Sequence, residues 1–375
     1  MEKYKLDCRY FTGYKPCSPG KICVDCADHS PMGTRILIIN LDALGDVLRT
    51  TAMLHPLKRK YSVSHITWVT EASAMPLLEN NYFIDRVISY SAQNMLSLLS
   101  EKFDVLMNVD KSWRTGSIAN LIDAKEKFGF SITENGAIYP FNKEAGPLYE
   151  IGLNDDMKFK INKKTEQELL CETMALEYKR DEYILNITPG EKEYIDNYKR
   201  DLVIKDGQVV IGFNTGCSNL YPYKKLPFEN QVELLKKLYK AFPHDRIVLL
   251  GGREDTENNN ALKKRLQNKV VSTPTDLGLR KGILFTDLCD IVISGDTLGL
   301  HMAVGLKKKI VAFFTISCDG EIDLYERGAV VLADIECRPC WKKACDREIK
   351  CYHKVDIDKI CEEVKNIYPK VEKRT

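Results

Sequence analysis

Nowhere does this sequence hold the roughly 18 consecutive apolar residues that an ordinary membrane-spanning helix requires, so no such helix is expected. Its opening residues, MEKYKLDCRY, lack the apolar core of a secretory signal, and the expected location is cytoplasmic. Peripheral contact with the inner face of a membrane is left open. The chain also lacks a dominant charge. Its 55 lysines and arginines meet 53 aspartates and glutamates, leaving a formal net charge of +2. That balance gives no broad footprint for nucleic acid, and none is expected as a partner. A full G-x-G-x-x-G fingerprint is missing after the first predicted strand, which weighs against an NAD-dependent oxidoreductase.

Cysteine, by contrast, is plentiful, with 13 in the chain. Eight of them form two groups, Cys8-x8-Cys17-x5-Cys23-x2-Cys26 and Cys337-x2-Cys340-x4-Cys345-x5-Cys351. A reducing compartment disfavours structural disulfides. Four thiolates in so short a stretch suit a tetrahedral sulfur site, and zinc or iron is expected at one or both groups. His29 and His353 are substitute ligands. Either site would be structural, because protein supplies all four ligands. Disulfides formed on oxidation, inert packed thiols and an iron–sulfur cluster are the alternatives.

A length of 375 residues exceeds one typical core and suits two domains. Residues 35–41, RILIINL, read as a strand buried on both faces. Further strands are expected at HITWVT, DRVISY and FDVLMNV, with helical stretches between them, which is the pattern of βαβ units and a parallel sheet. Residues 111–160 are less regular, and a helix is expected over 165–181. QVVIGFN, RIVLLGG, IVISG and KIVAFF repeat the theme in the second half, with an amphipathic helix at FENQVELLKKLYKAF. The expected division is a cysteine-rich appendage at 1–32, one Rossmann-like domain at 33–186, a linker at 187–207 holding a helix with Pro189 near its first turn, a second such domain at 208–335, and a cysteine-rich segment with a closing helix at 336–375. Two doubly wound α/β domains facing across a cleft follow from this order.

Candidate chemistry gathers where strands end, the edge at which an open parallel sheet meets its ligands. Asp46 follows the first strand. Its carboxylate can accept a proton from an attacking hydroxyl, or it can cap the next helix. Asp42 competes with it for the first role. In the second half, Asn214 to Lys225 reads NTGCSNLYPYKK. Backbone amides with Thr215 and Ser218 can donate to phosphate, and Lys224 or Lys225 can balance a departing diphosphate. Glu254 and Asp255, after Gly251 and Gly252, can contact ribose. Asp296 and Thr297 stand where strand gives way to helix; Thr297 can donate to phosphate, Asp296 can orient the loop or bind ribose, and His301 lies one turn on.

LDALGDVLRT and GDTLGLHMAVGL, with KKLP between them, resemble the motifs of glycosyltransferase family 9, the ADP-heptose heptosyltransferases. The resemblance spans residues 35–365 and implies a GT-B fold. It implies transfer of heptose from an ADP-activated donor with inversion at the anomeric carbon, and no metal in the transfer step. Asp46 resembles the catalytic base, while Lys224, Thr215 and the neighbouring Asn214, Ser218 and Lys225 lie where the donor is held. Glu254 lies near the family's ribose-contacting acid, and Asp296, Thr297 and His301 match its late donor motif. Leu226 stands where the family usually has tryptophan, and Leu298 to Leu300 also depart from the usual run, which bears on donor identity more than on fold. The cysteine groups resemble those of autotransporter heptosyltransferases with an iron-bound cysteine finger. The acceptor expected is a glycan, a lipid-linked glycan or a protein hydroxyl, and a homo-oligomer fits as well. Transfer of another nucleotide sugar, or a noncatalytic binding module, are the rival readings.

Overall fold

The computed structural model describes residues 3–368. Residues 1–2 of the expected appendage and 369–375 of the closing segment lie outside the described residues. The chain divides into two compact units, residues 1–158 with 167–182 and residues 159–166 with 183–375.

The first unit holds six strands: β1 Thr34–Ile39, β2 Ser64–Thr70, β3 Arg86–Ser89, β4 Lys102–Asn108, β5 Asp123–Ile132 and β6 Ile138–Pro140. Their order is β3-β2-β1-β4-β5-β6, parallel throughout except for the antiparallel β5–β6 pair. β1 forms because Ile36, Leu37, Ile38 and Ile39 can all be buried, two on each face. Ile36 stands in register with Ile66 on one side and Val105 on the other. Truncating such a side chain costs about 2–5 kcal/mol. The helices Leu44–Thr50 and Leu54–Lys60 then carry the chain to β2. With β2 and β4 flanking β1, winding reverses at β1, and a crevice opens beyond the carboxyl ends of β1 and β4.

The appendage has no helix or strand over residues 3–33, only isolated bridges at Tyr4–Val24 and Cys8–Pro31. None of its described side chains is buried. Arg9 ties it to the sheet by donating to Asp85 at 3.1 Å and to the Ser64 carbonyl at 3.2 Å. The helix expected over 165–181 is shorter, Glu166–Thr173, because Ala175 turns left-handed at φ +51°.

The second unit repeats the design with β7 Val210–Asn214, β8 Arg246–Leu250, β9 Val271–Ser272, β10 Ile291–Gly295, β11 Lys309–Phe314 and β12 Gly328–Leu332. All are parallel, in the order β12-β11-β10-β7-β8-β9. The reversal falls between β7 and β10. The amphipathic helix is Phe228–Ala241, burying Val232, Leu234, Leu235 and Leu238. Against it lies the closing helix Ile357–Asn366, which contributes Ile360 and Val364 to the same core.

The stretch 187–207, expected as a linker, belongs to the second unit, and the helix expected from Pro189 forms there as Pro189–Asp201. A capping box explains it: Thr188 accepts from the Glu191 amide and Glu191 accepts from the Thr188 amide. Arg280 then grips Glu191 at 2.6 and 2.7 Å and donates to the Asn186 carbonyl at 2.7 Å. That network anchors both the helix and the chain leading into it.

Candidate functional site

At the reversal in the first unit, the residues beyond β1 and β4 are acidic. Asp46 stands in the first turn of Leu44–Thr50, and its carboxylate accepts from Arg49 at 2.7 Å. The helix has Ala43 at its N-cap and no side-chain cap, so Asp46 does not serve as the cap that its position allowed. Its side chain is 46% exposed, open to an incoming hydroxyl. Asp42 is engaged differently, accepting from Arg114 at 3.0 Å, while the same arginine donates to Glu71 at 2.7 Å.

Beneath these two lies Asp110, which the sequence reading missed. It follows β4 and accepts from the Leu41 amide and the Asn40 side chain, each at 2.6 Å. Burial pushes its carboxyl up to about 7, against the pull of those two donors, and the charges of Asp42 and Asp46 add to the rise. Asp110 therefore fixes the backbone that leads from β1 into the Asp46 turn, and it holds a proton near neutrality. A signal existed: Asp110 stands two residues past the end of β4, at the same sheet edge at which Asp42 and Asp46 follow β1.

In the second unit the reversal brings together the ends of β7 and β10. Asn214 is buried there, and its side-chain amide donates to Thr297 Oγ1 at 2.8 Å, Ser294 Oγ at 3.1 Å and the Gly216 carbonyl at 3.2 Å. Asn214 and Thr297 thus lock the two strand ends to each other. Thr215 is also a scaffold residue, in place of the open phosphate donor expected: buried at 1% exposure, its hydroxyl contacts the Leu250 carbonyl at 3.1 Å and Asn259 at 2.5 Å. Ser218 is exposed, and its oxygen accepts from the Leu220 amide at 3.2 Å.

Lys224 is the centre of this edge. Its ammonium donates to Asp296 Oδ2 at 2.6 Å, with both side chains largely buried. Burial alone would raise the Asp296 carboxyl, but the charges of Lys224 and His301 bring it below its ordinary value. His301 Nε2 lies 4.0 Å from Asp296, and its Nδ1 meets the Tyr183 hydroxyl at 3.3 Å. Gly295 makes the arrangement feasible, since a β-carbon there would sit 2.1 Å from the Lys224 carbonyl. Lys225 is half-buried near Cys217 and Asp255, whose acidities it favours.

Glu254 is exposed at the β8 end, whereas its neighbour Asp255 turns inward. Asp255 accepts from the Gly252 amide at 2.9 Å and lies against Gly216, where a β-carbon would come within 2.0 Å of its carboxylate. Of the two acids in this loop, Glu254 is the one the resemblance implies for ribose, and Asp255 is the one that shapes the β7–β8 edge.

The four carboxy-terminal thiols are neighbours. Burial, followed by the presence of Cys340, Cys337 and Cys345, pushes the Cys351 thiol up to about 11. In the amino-terminal group, Cys17 and Cys26 both lie near Lys21. Among the described residues no three cysteine, histidine or acidic side chains are disposed to hold a metal ion. No helix among them is long and apolar enough to cross a membrane.

Two parallel α/β sheets, each with functional groups at its reversal point, define a GT-B type of transferase. The model of glycosyltransferase family 9 (heptosyltransferase) matches residues 94–352, and the chain belongs to that family. It is 22% identical over 303 residues to lipopolysaccharide heptosyltransferase 1 of Campylobacter coli, covering 75% of this chain and 83% of the relative. Among solved structures, the family 9 glycosyltransferase of Veillonella parvula superposes with a TM-score of 0.72 at 17% identity, covering 89% of this chain and 97% of that one. The Escherichia coli ADP-heptose lipopolysaccharide heptosyltransferase II gives 0.64 at 16% identity, with coverages of 89% and 98%. The protein is accordingly a glycosyltransferase of the heptosyltransferase type, a family engaged in lipopolysaccharide heptose transfer.

Proposed function

We propose that this enzyme transfers a heptose from an ADP-activated donor to a hydroxyl acceptor with inversion at the anomeric carbon. The observation that carries the reading is the Lys224–Asp296 pair at the β7–β10 reversal, a cation held at the edge where an α/β sheet receives a nucleotide. The structural neighbour from Escherichia coli, an ADP-heptose lipopolysaccharide heptosyltransferase, supports the donor.

In this reading the acceptor oxygen attacks the anomeric carbon as Asp46 takes its proton, and the bond from that carbon to the diphosphate oxygen breaks. Lys224 balances the charge gained by the departing ADP. Asn214 and Thr297 keep the two strand ends in register, while Ser218, Lys225 and Glu254 line the donor side and His301 supports Asp296. One displacement suffices, so a single carboxylate acts and neither a covalent sugar intermediate nor a metal takes part. A glycan, a lipid-linked glycan or a protein hydroxyl would serve as acceptor, in the cytoplasm or against the inner face of a membrane.

The cysteine groups are structural in this account. Cys337, Cys340, Cys345 and Cys351 are neighbouring sulfur donors, and a soft set of this kind would suit zinc or iron once the thiols ionise and draw together. Cys8, Cys17, Cys23 and Cys26 lie in a segment with no buried side chain, which needs a crosslink for its shape. Metal analysis of the purified protein, with each group replaced by serine in turn, tests both assignments: stoichiometric metal lost with a group supports it, and a metal-free wild type removes it. The donor assignment is tested by a panel of nucleotide sugars. Preferential consumption of ADP-heptose, with ADP released, is expected; preference for a donor on another nucleotide would overturn it.

A further inference from the structure

We propose that Trp341, in the cysteine-rich segment, is a positioning residue for Lys224. The inference deepens the donor-site reading above and rests on it for what Lys224 does there.

Lys224 is held on three sides. Asp296 takes one hydrogen bond at 2.6 Å. The Trp341 indole presents its face 4.1 Å from the ammonium, and the Tyr221 ring lies 5.6 Å away. These two rings meet edge to face, 5.7 Å apart at 85°. Indole carries the strongest negative face of the aromatic side chains, so it orients an ammonium without neutralising it. A carboxylate alone would pin the charge. Shared between carboxylate and ring, the ammonium keeps its aim and retains hydrogens for a phosphate oxygen.

Trp341 is placed there by the backbone of the cysteine segment. The amides of Cys340 and Trp341 both donate to the Ile316 carbonyl, at 2.9 and 3.0 Å, just past β11. Trp341 itself is left-handed at φ +50°, a conformation that a bulky residue keeps only where its surroundings over-determine it. The same segment grips the Lys224 loop a second time: the Cys345 amide donates to the Tyr223 hydroxyl at 3.2 Å, and Tyr223 stacks on Tyr352 with centroids 5.5 Å apart. From the other side, Thr315 donates to the Tyr223 carbonyl at 2.7 Å. Leu226, two residues on, is fully committed to the core, and the aromatic faces over Lys224 come from Trp341 and Tyr221.

The test compares Trp341→Phe, which keeps a π face, with Trp341→Leu, which keeps apolar bulk without one. Acylation of Lys224 by a water-soluble amine-reactive ester is followed by mass spectrometry, and ADP binding by calorimetry. The Leu variant is expected to acylate about tenfold faster at Lys224 and to bind ADP about tenfold more weakly, with the Phe variant within about threefold of wild type on both measures. If Phe and Leu variants behave alike, or neither alters Lys224 acylation, the ring merely fills space and the proposal falls. ADP should also slow Lys224 acylation in the wild type. Absence of that protection would sink the donor reading separately, while the contrast between Phe and Leu still decides whether Trp341 holds the lysine.

Discussion

The two reversal points of this chain are built to the same topology and wired in opposite ways. Beyond β1 and β4, three carboxylates lie together, with one buried acid kept near neutrality beneath two exposed ones. Beyond β7 and β10, a single carboxylate is buried with its own cation and a histidine. The first arrangement crowds acids around the raised Asp110. The second stores a positive charge at low exposure. In the proposed reaction the first would supply the base and the second the charge sink.

The comparison is broken most severely by removing the base. Asp46→Asn should lower transfer about 10³-fold while leaving ADP affinity within about twofold. Full transfer by this variant would move the role elsewhere, with Asp42 as the next candidate. Next in size is the pair in the second unit. Lys224→Met leaves Asp296 buried without its cation and should cost about 3 kcal/mol in urea unfolding, most of it recovered in the Lys224→Met, Asp296→Asn double variant. An additive double variant would show that the two groups are not coupled.

Asp110 sharpens the contrast through pH. Its folded carboxyl is raised to about 7, so the native state binds more protons than the unfolded chain between roughly pH 4 and 7. Its contribution is fully present below pH 4 and is lost as pH rises through 7. Asp110→Asn should remove that loss, seen as a stability difference from wild type that grows by up to about 4 kcal/mol across the window. A pH-independent difference would contradict the assignment. The smallest effect belongs to Glu191, held down to about 2 chiefly by Arg280. Its stabilisation is present above the ordinary glutamate range and lost as pH falls toward 2. Glu191→Gln should cost about 1–2 kcal/mol at neutral pH and little in acid, checked by unfolding at both.

Much of this was legible in residues. RILIINL, QVVIGFN and IVISG declare themselves because central parallel strands bury both faces and leave no polar alternation to confuse them. β5 hid because DAKEKFGFSI mixes charges into a half-exposed strand, where lysine stems cover rings, as Lys127 does over Phe141. Helix Pro189–Asp201 was legible from Pro189 at its first turn, but its membership of the second unit was not, because its anchor, Arg280, lies far along the chain. At the site, strand ends pointed to Asp46, Asn214, Lys224 and Asp296. Which hydroxyls were already engaged did not show, since the partners of Thr215 and Thr297 come from elements distant in sequence. Trp341 carries no local signal at all. Its relation to Lys224 exists only after the cysteine segment has folded back onto β11.

The account depends most on a single displacement at the anomeric carbon. Proton NMR of the product formed from ADP-heptose reads the new linkage directly. An anomeric configuration opposite to that of the donor is predicted. Retention of the donor's configuration would require a second nucleophile and would contradict the roles given to Asp46 and Lys224.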